Sequence, residues 1–202
     1  MKKNAYWIWL SLLLVVLLVA AGFLYNSLKD KVELSTLVIQ ATAVPAEDPT
    51  ATPTHTGYIT PTPRPAAPDF TVYDGEGNAV SLSSLQGKPV VVNFWASWCG
   101  PCKSEMPDFQ KAWEQYGETV HFMIVNMTDG QQETLEKAKA YVTKEGYTFP
   151  VYFDTDLDAA MTYGVSAIPA TYFVAADGSL IARASGAISL STLEKGLSMI
   201  LE

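Results

Sequence analysis

The chain has 202 residues and a formal net charge of −8, room for one domain of ordinary size plus accessory segments. The acidity lies from Asp69 onward, where 8 Lys and Arg face 17 Asp and Glu, a net of −9. An acidic domain with no basic cluster argues against nucleic acid as a partner, because phosphates demand Lys and Arg contacts.

The first predicted element is the run WIWLSLLLVVLLVAAGFLY, Trp7 to Tyr25, uncharged and with Ser11 as its one polar interruption. As a helix its length is ~29 Å, close to the hydrocarbon thickness of a bilayer. Tyr6, Trp7, Trp9 and Tyr25 stand near its ends, where amphipathic rings favour the headgroup level. A cleavable signal peptide has an apolar core of only about 7–15 residues, so residues 1–27 are read as an uncleaved anchor with a short cytoplasmic end. Lys2 and Lys3 precede the run while Lys29 and Lys31 come after it, a weak charge bias. The amino-terminal position favours N-in, and anchor and signal peptide alike would export the rest of the chain.

Residues 28–68 are expected to be a juxtamembrane segment and a disordered linker. Asn26 to Gln40 either continues as a short helix or lies near the membrane surface. Ala41 to Pro68 is rich in Ala, Thr and Pro and nearly free of large apolar residues. It cannot bury enough surface to offset its ordering entropy and reads as a tether of polyproline character.

The folded domain is expected over 69–202. Phe70 to Tyr73 is a first strand, succeeded by the turn cluster Asp74-Gly75-Glu76-Gly77-Asn78. Val80 to Leu85 leads to Pro89–Trp95 (PVVVNFW), a β-branched apolar run of the kind a strand covered on both faces shows. A helix from about Pro101 to Tyr116 repeats Met106, Phe109, Trp113 and Tyr116 at helical spacing. Strands at Val120–Met127 and Phe149–Phe153 alternate with helices at Gln132–Glu145 and Asp156–Tyr163, the last with Asp156 as its cap. Ala170–Val174 and Leu180–Ala184 flank the Asp177-Gly178 turn of a hairpin, and Ser189–Leu201 closes the chain as a helix. The pattern is α/β, a mixed central sheet with helices on both faces.

The two cysteines stand together in Trp98-Cys99-Gly100-Pro101-Cys102. So short a loop adds little as a structural staple. Zinc normally takes four ligands, and neither a second CxxC nor more than the two histidines His55 and His121 is at hand, so no metal is expected. Redox chemistry remains. Cys99 lies where a buried strand turns into a helix, so unpaired N–H groups and the helix dipole favour its thiolate. Cys102 stands one helical turn on, close enough to form a disulfide with it, and Pro101 suits a helix start. Two thiols carry the electrons themselves, and no cofactor is called for.

The stretches VVVNFWASWCGPCKSEMP and GVSAIPATYFVAADGSLIARASG resemble the thioredoxin superfamily, specifically its membrane-tethered TlpA-like/ResA-like branch, over roughly Pro68 to Glu202. The resemblance implies a thioredoxin fold and a thiol–disulfide oxidoreductase. It makes Cys99 the attacking thiolate and Cys102 the resolving sulfur. Trp98, Gly100 and Pro101 border the substrate site, and Ile168 and Pro169 supply the cis-proline element whose Ile168 backbone pairs with the substrate chain. Trp95 is assigned to packing, and Pro107 is expected to kink the active-site helix by removing one internal hydrogen bond.

Thioredoxin carries a buried aspartate where this chain has Asn93, which cannot act as a base at neutral pH. Glu105, three residues after Cys102 and on the same helical face, is the replacement expected, as in the TlpA/ResA branch. A carboxyl buried near thiols has a raised pKa and can take and return a proton.

The Gly-Pro dipeptide, shared with thioredoxin, favours a reductant of disulfides in exported proteins over a disulfide-forming oxidase. Outside the cytoplasm such a reductant needs a membrane protein as electron donor. The resemblance suggests an apocytochrome c as one substrate, although Ala170 stands where the specialised cytochrome-maturation reductases often carry an acidic residue. Two other readings fit the residues less well: a peroxiredoxin would have threonine and proline where Ala96 and Val92 stand, and related copper chaperones have three residues between the cysteines and a late histidine.

Overall fold

The computed structural model describes residues 37–39 and 64–202. The expected anchor, and the linker apart from its strand and its end, lie outside these. Among the described residues no helix is long and apolar enough to cross a membrane.

The strands are β1 (Leu37–Ile39), β2 (Thr71–Tyr73), β3 (Ala79–Ser81), β4 (Val90–Trp95), β5 (His121–Asn126), β6 (Val151–Phe153), β7 (Ala170–Val174) and β8 (Leu180–Ser185). The helices are α1 (Gly100–Tyr116), α2 (Leu135–Glu145), α3 (Asp158–Thr162) and α4 (Leu190–Ile200). All eight strands form one sheet in the order β1-β8-β7-β4-β5-β6-β2-β3. The β4–β5 and β5–β6 pairs are parallel and joined through helices, while β4–β7 and β7–β8 are antiparallel. This is the mixed sheet the sequence leads one to expect.

Strand periodicity decides which side chains can meet. Along β4, Val90, Val92 and Phe94 point to one face, where they join Phe70, Val72, Ala159, Ala160 and Tyr172. Val91 and Trp95 point to the other and join Met106 and Phe109 of α1 with Leu193, Leu197 and Ile200 of α4. Asn93 shares that second parity and so faces α1. Its antiparallel partner on β7 is Thr171. Asn126 at the end of β5 has the parity of Phe122 and Ile124 and pairs in register with Trp95. Three buried polar side chains, Asn93, Thr171 and Asn126, thus lie on the helix-covered face of an otherwise apolar sheet. Such groups require partners there.

The other packing decisions are local. Gly196 lets α4 lie directly on Phe173: a Cβ there would fall 2.2 Å from the phenyl ring. Gly146, at φ 73°, ends α2 with a left-handed residue, a conformation glycine accommodates best. Pro107 lies inside α1, which runs continuously from Gly100 to Tyr116.

Three boundaries differ from expectation. The segment around Leu37–Ile39, expected as a helix or as membrane-proximal chain, is a strand antiparallel to β8, with Leu37, Val38 and Ile39 opposite Ala184, Arg183 and Ala182. It covers backbone groups that a sheet edge leaves open. The expected linker end is also docked: Leu180 N–H donates to the Pro65 carbonyl and Ala67 N–H to the Gly178 carbonyl, both at 2.9 Å, so ordered pairing begins before Asp69. Finally, Asp156 does not cap α3. Asp154 does, accepting from the N–H groups of Ala159 (3.2 Å) and Ala160 (2.8 Å), while Asp156 accepts from the Tyr73 hydroxyl.

Candidate active site

Cys99 and Cys102 form a disulfide at the amino end of α1. Cys99 is the N-cap, in extended conformation, and its Sγ accepts from the Cys102 N–H at 3.1 Å. Gly100 and Pro101 complete the first turn, where proline's missing N–H leaves no helical bond unmade. The two sulfurs have different surroundings. Cys102 is wholly buried, whereas Cys99, 4% exposed, stands between two exposed residues, Trp98 and Gly100.

Trp98 is 49% exposed, unusual for so large a ring. It forms one wall of a groove of about 480 Å³, whose other walls include Met127, Asp129, Leu157, Val165 and Ile168. The Ile168–Pro169 peptide bond is cis. The Ile168 carbonyl oxygen lies 3.7 Å from Cys99 Sγ, and the Pro169 carbonyl accepts from Gly186 N–H. The expected site residues Trp98, Cys99 and Ile168 are therefore brought to one place, with Gly100 and Pro101 on the same turn. Trp95 is fully buried against Tyr141, a packing position, and its indole N–H has no partner among the described residues.

Behind the cysteines, Glu105 is only 2% exposed. Its Oε1 accepts from the Asn93 amide at 2.8 Å and its Oε2 from the Ile188 N–H at 2.9 Å. The same Asn93 amide nitrogen donates to Thr171 Oγ1 at 3.0 Å. Burial is the larger influence and pushes the carboxyl up, with the bonds from Ile188 and Asn93 opposing it; the result is about 7. Asn93 thus does not take the proton-accepting role but presents Glu105, one turn of helix from Cys102. A carboxyl poised near neutrality can take and return a proton at physiological pH.

A second buried glutamate, Glu133, is one that sequence reasoning misses. The helix expected over Gln132–Glu145 would hold it in its first turn, but the helix starts at Leu135 and Glu133 is completely buried. Its Oε1 accepts from Ser97 N–H and from Asn126 Nδ2, both at 2.8 Å, and its Oε2 from Ser97 Oγ at 2.7 Å. The available signal is Thr134, a better N-cap than Gln131 or Gln132, whose hydroxyl accepts from Lys137 N–H. That cap puts Glu133 outside the helix.

Comparison with known proteins agrees with this geometry. Residues 63–183 match the AhpC/TSA family model. The chain is 34% identical to the thiol-disulfide oxidoreductase ResA of Oceanobacillus iheyensis over 133 residues, 64% of this chain and 68% of that one. It is 31% identical to ResA of Bacillus subtilis over 135 residues, covering 66% and 73%. Among solved structures, a putative thiol:disulfide interchange protein DsbE from Chlorobium tepidum superposes with TM-score 0.61 at 26% identity, over 69% of this chain and 97% of that one. StoA from Bacillus subtilis does so with TM-score 0.57 at 25% identity, over 66% and 99%. The chain is a thiol–disulfide oxidoreductase of thioredoxin fold and belongs to the AhpC/TSA family, among the relatives of ResA.

Proposed function

We propose that the chain is a membrane-anchored reductant of disulfides in exported proteins. The observation that carries the reading is the placement of the cysteine pair: Cys99 lies next to Trp98 and 3.7 Å from the Ile168 carbonyl, two residues that line the groove, whereas Cys102 lies wholly buried one helical turn before Glu105.

In the reduced enzyme the Cys99 thiolate attacks one sulfur of a substrate disulfide. An enzyme–substrate S–S bond forms, the substrate S–S bond breaks, and the released thiolate takes a proton from water. The substrate backbone lies along Ile168, with its side chains in the groove beside Trp98. Glu105 then accepts the Cys102 proton, and the Cys102 thiolate attacks Cys99 Sγ. The second substrate sulfur leaves and is protonated. Two electrons have then passed to the substrate, and the enzyme is left with the Cys99–Cys102 disulfide. A membrane protein that passes electrons outward returns the pair to dithiol.

The direction is supported by the Gly-Pro dipeptide, shared with thioredoxin, whose couple lies at ~−270 mV. The extracytoplasmic location is supported by the Trp7–Tyr25 run, which reads as an N-in anchor. An apocytochrome c disulfide falls within this substrate class. Ala170, next after the cis proline, leaves the site without the carboxylate that the resemblance associates with specialised cytochrome reductases.

The test is a trapping experiment with the reduced full chain and a disulfide-bonded protein. Cys102→Ser is expected to accumulate a mixed disulfide through Cys99, and the parent to release substrate thiols. Cys99→Ser should do neither. A covalent adduct through Cys102 in the Cys99→Ser chain, at the parent's rate, would contradict the assignment.

A further inference from the structure

We infer that Glu133 is a positioning residue: through Ser97 it clamps the turn that carries Trp98 and Cys99, and it holds Cys99 Sγ in place for attack when the disulfide is open. The inference rests on the reading that Cys99 is the attacking sulfur.

Removing a carboxylate from water costs several kcal/mol unless hydrogen bonds replace its hydration, so a wholly buried glutamate requires a built surrounding. Glu133 has one. Asp129 Oδ1 accepts from the N–H groups of Gln131 (2.8 Å) and Glu133 (2.9 Å), and the Glu133 carbonyl accepts from Gly130 N–H (3.0 Å), which fixes the backbone of its loop. The side chain then reaches 36 positions back along the chain and takes both donors of Ser97, the N–H and the hydroxyl. Asn126 supplies the third bond and is itself oriented by Thr128 Oγ1, which donates to its Oδ1 at 2.9 Å.

Ser97 lies within the turn closed by Cys99 N–H donating to the Ala96 carbonyl at 3.1 Å. Holding both Ser97 donors therefore fixes the turn on which Cys99 starts α1. It also ties together two walls of the groove, Trp98 on one side and the Met127–Asp129 loop on the other. In the oxidised chain the disulfide also restrains Cys99. In the dithiol, where attack begins, that restraint is gone and the Ser97–Glu133 bonds remain. Misplacing an attacking atom by a fraction of its reach is enough to slow a reaction severely.

The test measures alkylation of Cys99 by iodoacetamide across pH, in the reduced full chain carrying Cys102→Ala so that only one thiol reports. Ser97→Ala removes the hydroxyl bond and should slow alkylation at pH 7 about tenfold, the factor expected for loss of one charge-assisted hydrogen bond. Ser97→Thr keeps the hydroxyl and should recover most of that loss. Glu133→Ala should slow it at least as much, and Ser97→Ala keeps the inference testable if that variant does not fold. Thermal melting of each variant reads stability separately. Parent-like alkylation in Ser97→Ala, or a Ser97→Thr chain as slow as Ser97→Ala, would overturn the inference. A parent that alkylates rapidly yet reduces no disulfide would instead sink the reductase reading and leave the clamp standing.

Discussion

Glu105 and Glu133 lie on the same helix-covered side of the sheet, both out of solvent, yet their surroundings differ. Glu105 has one donor on each oxygen, Asn93 on Oε1 and Ile188 on Oε2, and burial pushes it up to about 7. Glu133 has three donors, two of them from a single residue of the cysteine turn. The first arrangement leaves a carboxyl able to change protonation beside a buried cysteine; the second uses a carboxyl to hold backbone. Their geometries differ in the number and origin of the hydrogen bonds that reach each carboxyl.

The largest expected effect that breaks this comparison is on stability. Glu133→Ala leaves three buried or half-buried donors unpaired, and at ~1–3 kcal/mol for each unsatisfied group the oxidised chain should lose about 4 kcal/mol in urea unfolding. A loss below about 1 kcal/mol would show that the site relaxes and that the carboxylate holds little.

Glu105 should instead make stability depend on pH. Its folded pKa is raised, so the folded chain binds this proton more tightly than the unfolded chain does. The associated stability is fully present below about pH 4.5 and is lost as pH rises through about 7, by up to ~3 kcal/mol. Unfolding free energies measured from pH 4.5 to 8 should show that loss in the parent relative to Glu105→Gln. Parallel curves for the two chains would mean that Glu105 is not perturbed.

Next in size is the kinetic effect. Glu105→Gln should lower the rate of disulfide exchange at pH 8 by about 100-fold, the lower end of the range for a single proton-transfer group, and remove the limb of the pH profile with its midpoint near 7. An unchanged profile would take the proton-transfer role away from Glu105. The smallest effect is expected at Thr171, whose hydroxyl accepts from the Asn93 amide. Thr171→Val should cost about 1 kcal/mol and leave the pH midpoint within about half a unit, because Asn93 keeps its bond to Glu105.

Much of this is legible in the sequence. The apolar run of β4, the helical spacing of α1 and the Asp-Gly hairpin place the elements, because each is a local pattern. The Cys99–Cys102 spacing and the Glu105 position on the same helical face are local too. Asn93 stands out because it is polar within a strand otherwise buried on both faces. Glu133 does not, for a physical reason. In the loop Asp129-Gly130-Gln131-Gln132-Glu133 it looks like any solvated acid, and the residue that buries it, Ser97, is 36 positions away. Strand parity tells which face Asn126 occupies but not which loop side chain will meet it there. The Asp154 cap escapes similarly: Asp156 stands closer to the helix start, but Leu157 adopts a left-handed conformation at φ 55°, and the chain turns so that Asp154 faces the free N–H groups. Strand β1 depends on a partner, the open edge of β8, that nothing near Leu37 announces.

The most direct test of the central claim is the reduction potential of the Cys99–Cys102 couple, measured on the full chain equilibrated in dithiothreitol or glutathione buffers. A reductant fed by a donor should give a value near or below about −230 mV, in the range of thioredoxin and the glutaredoxins. A value above about −150 mV would mean that the couple prefers to accept electrons, and the chain would then be a disulfide-forming oxidase.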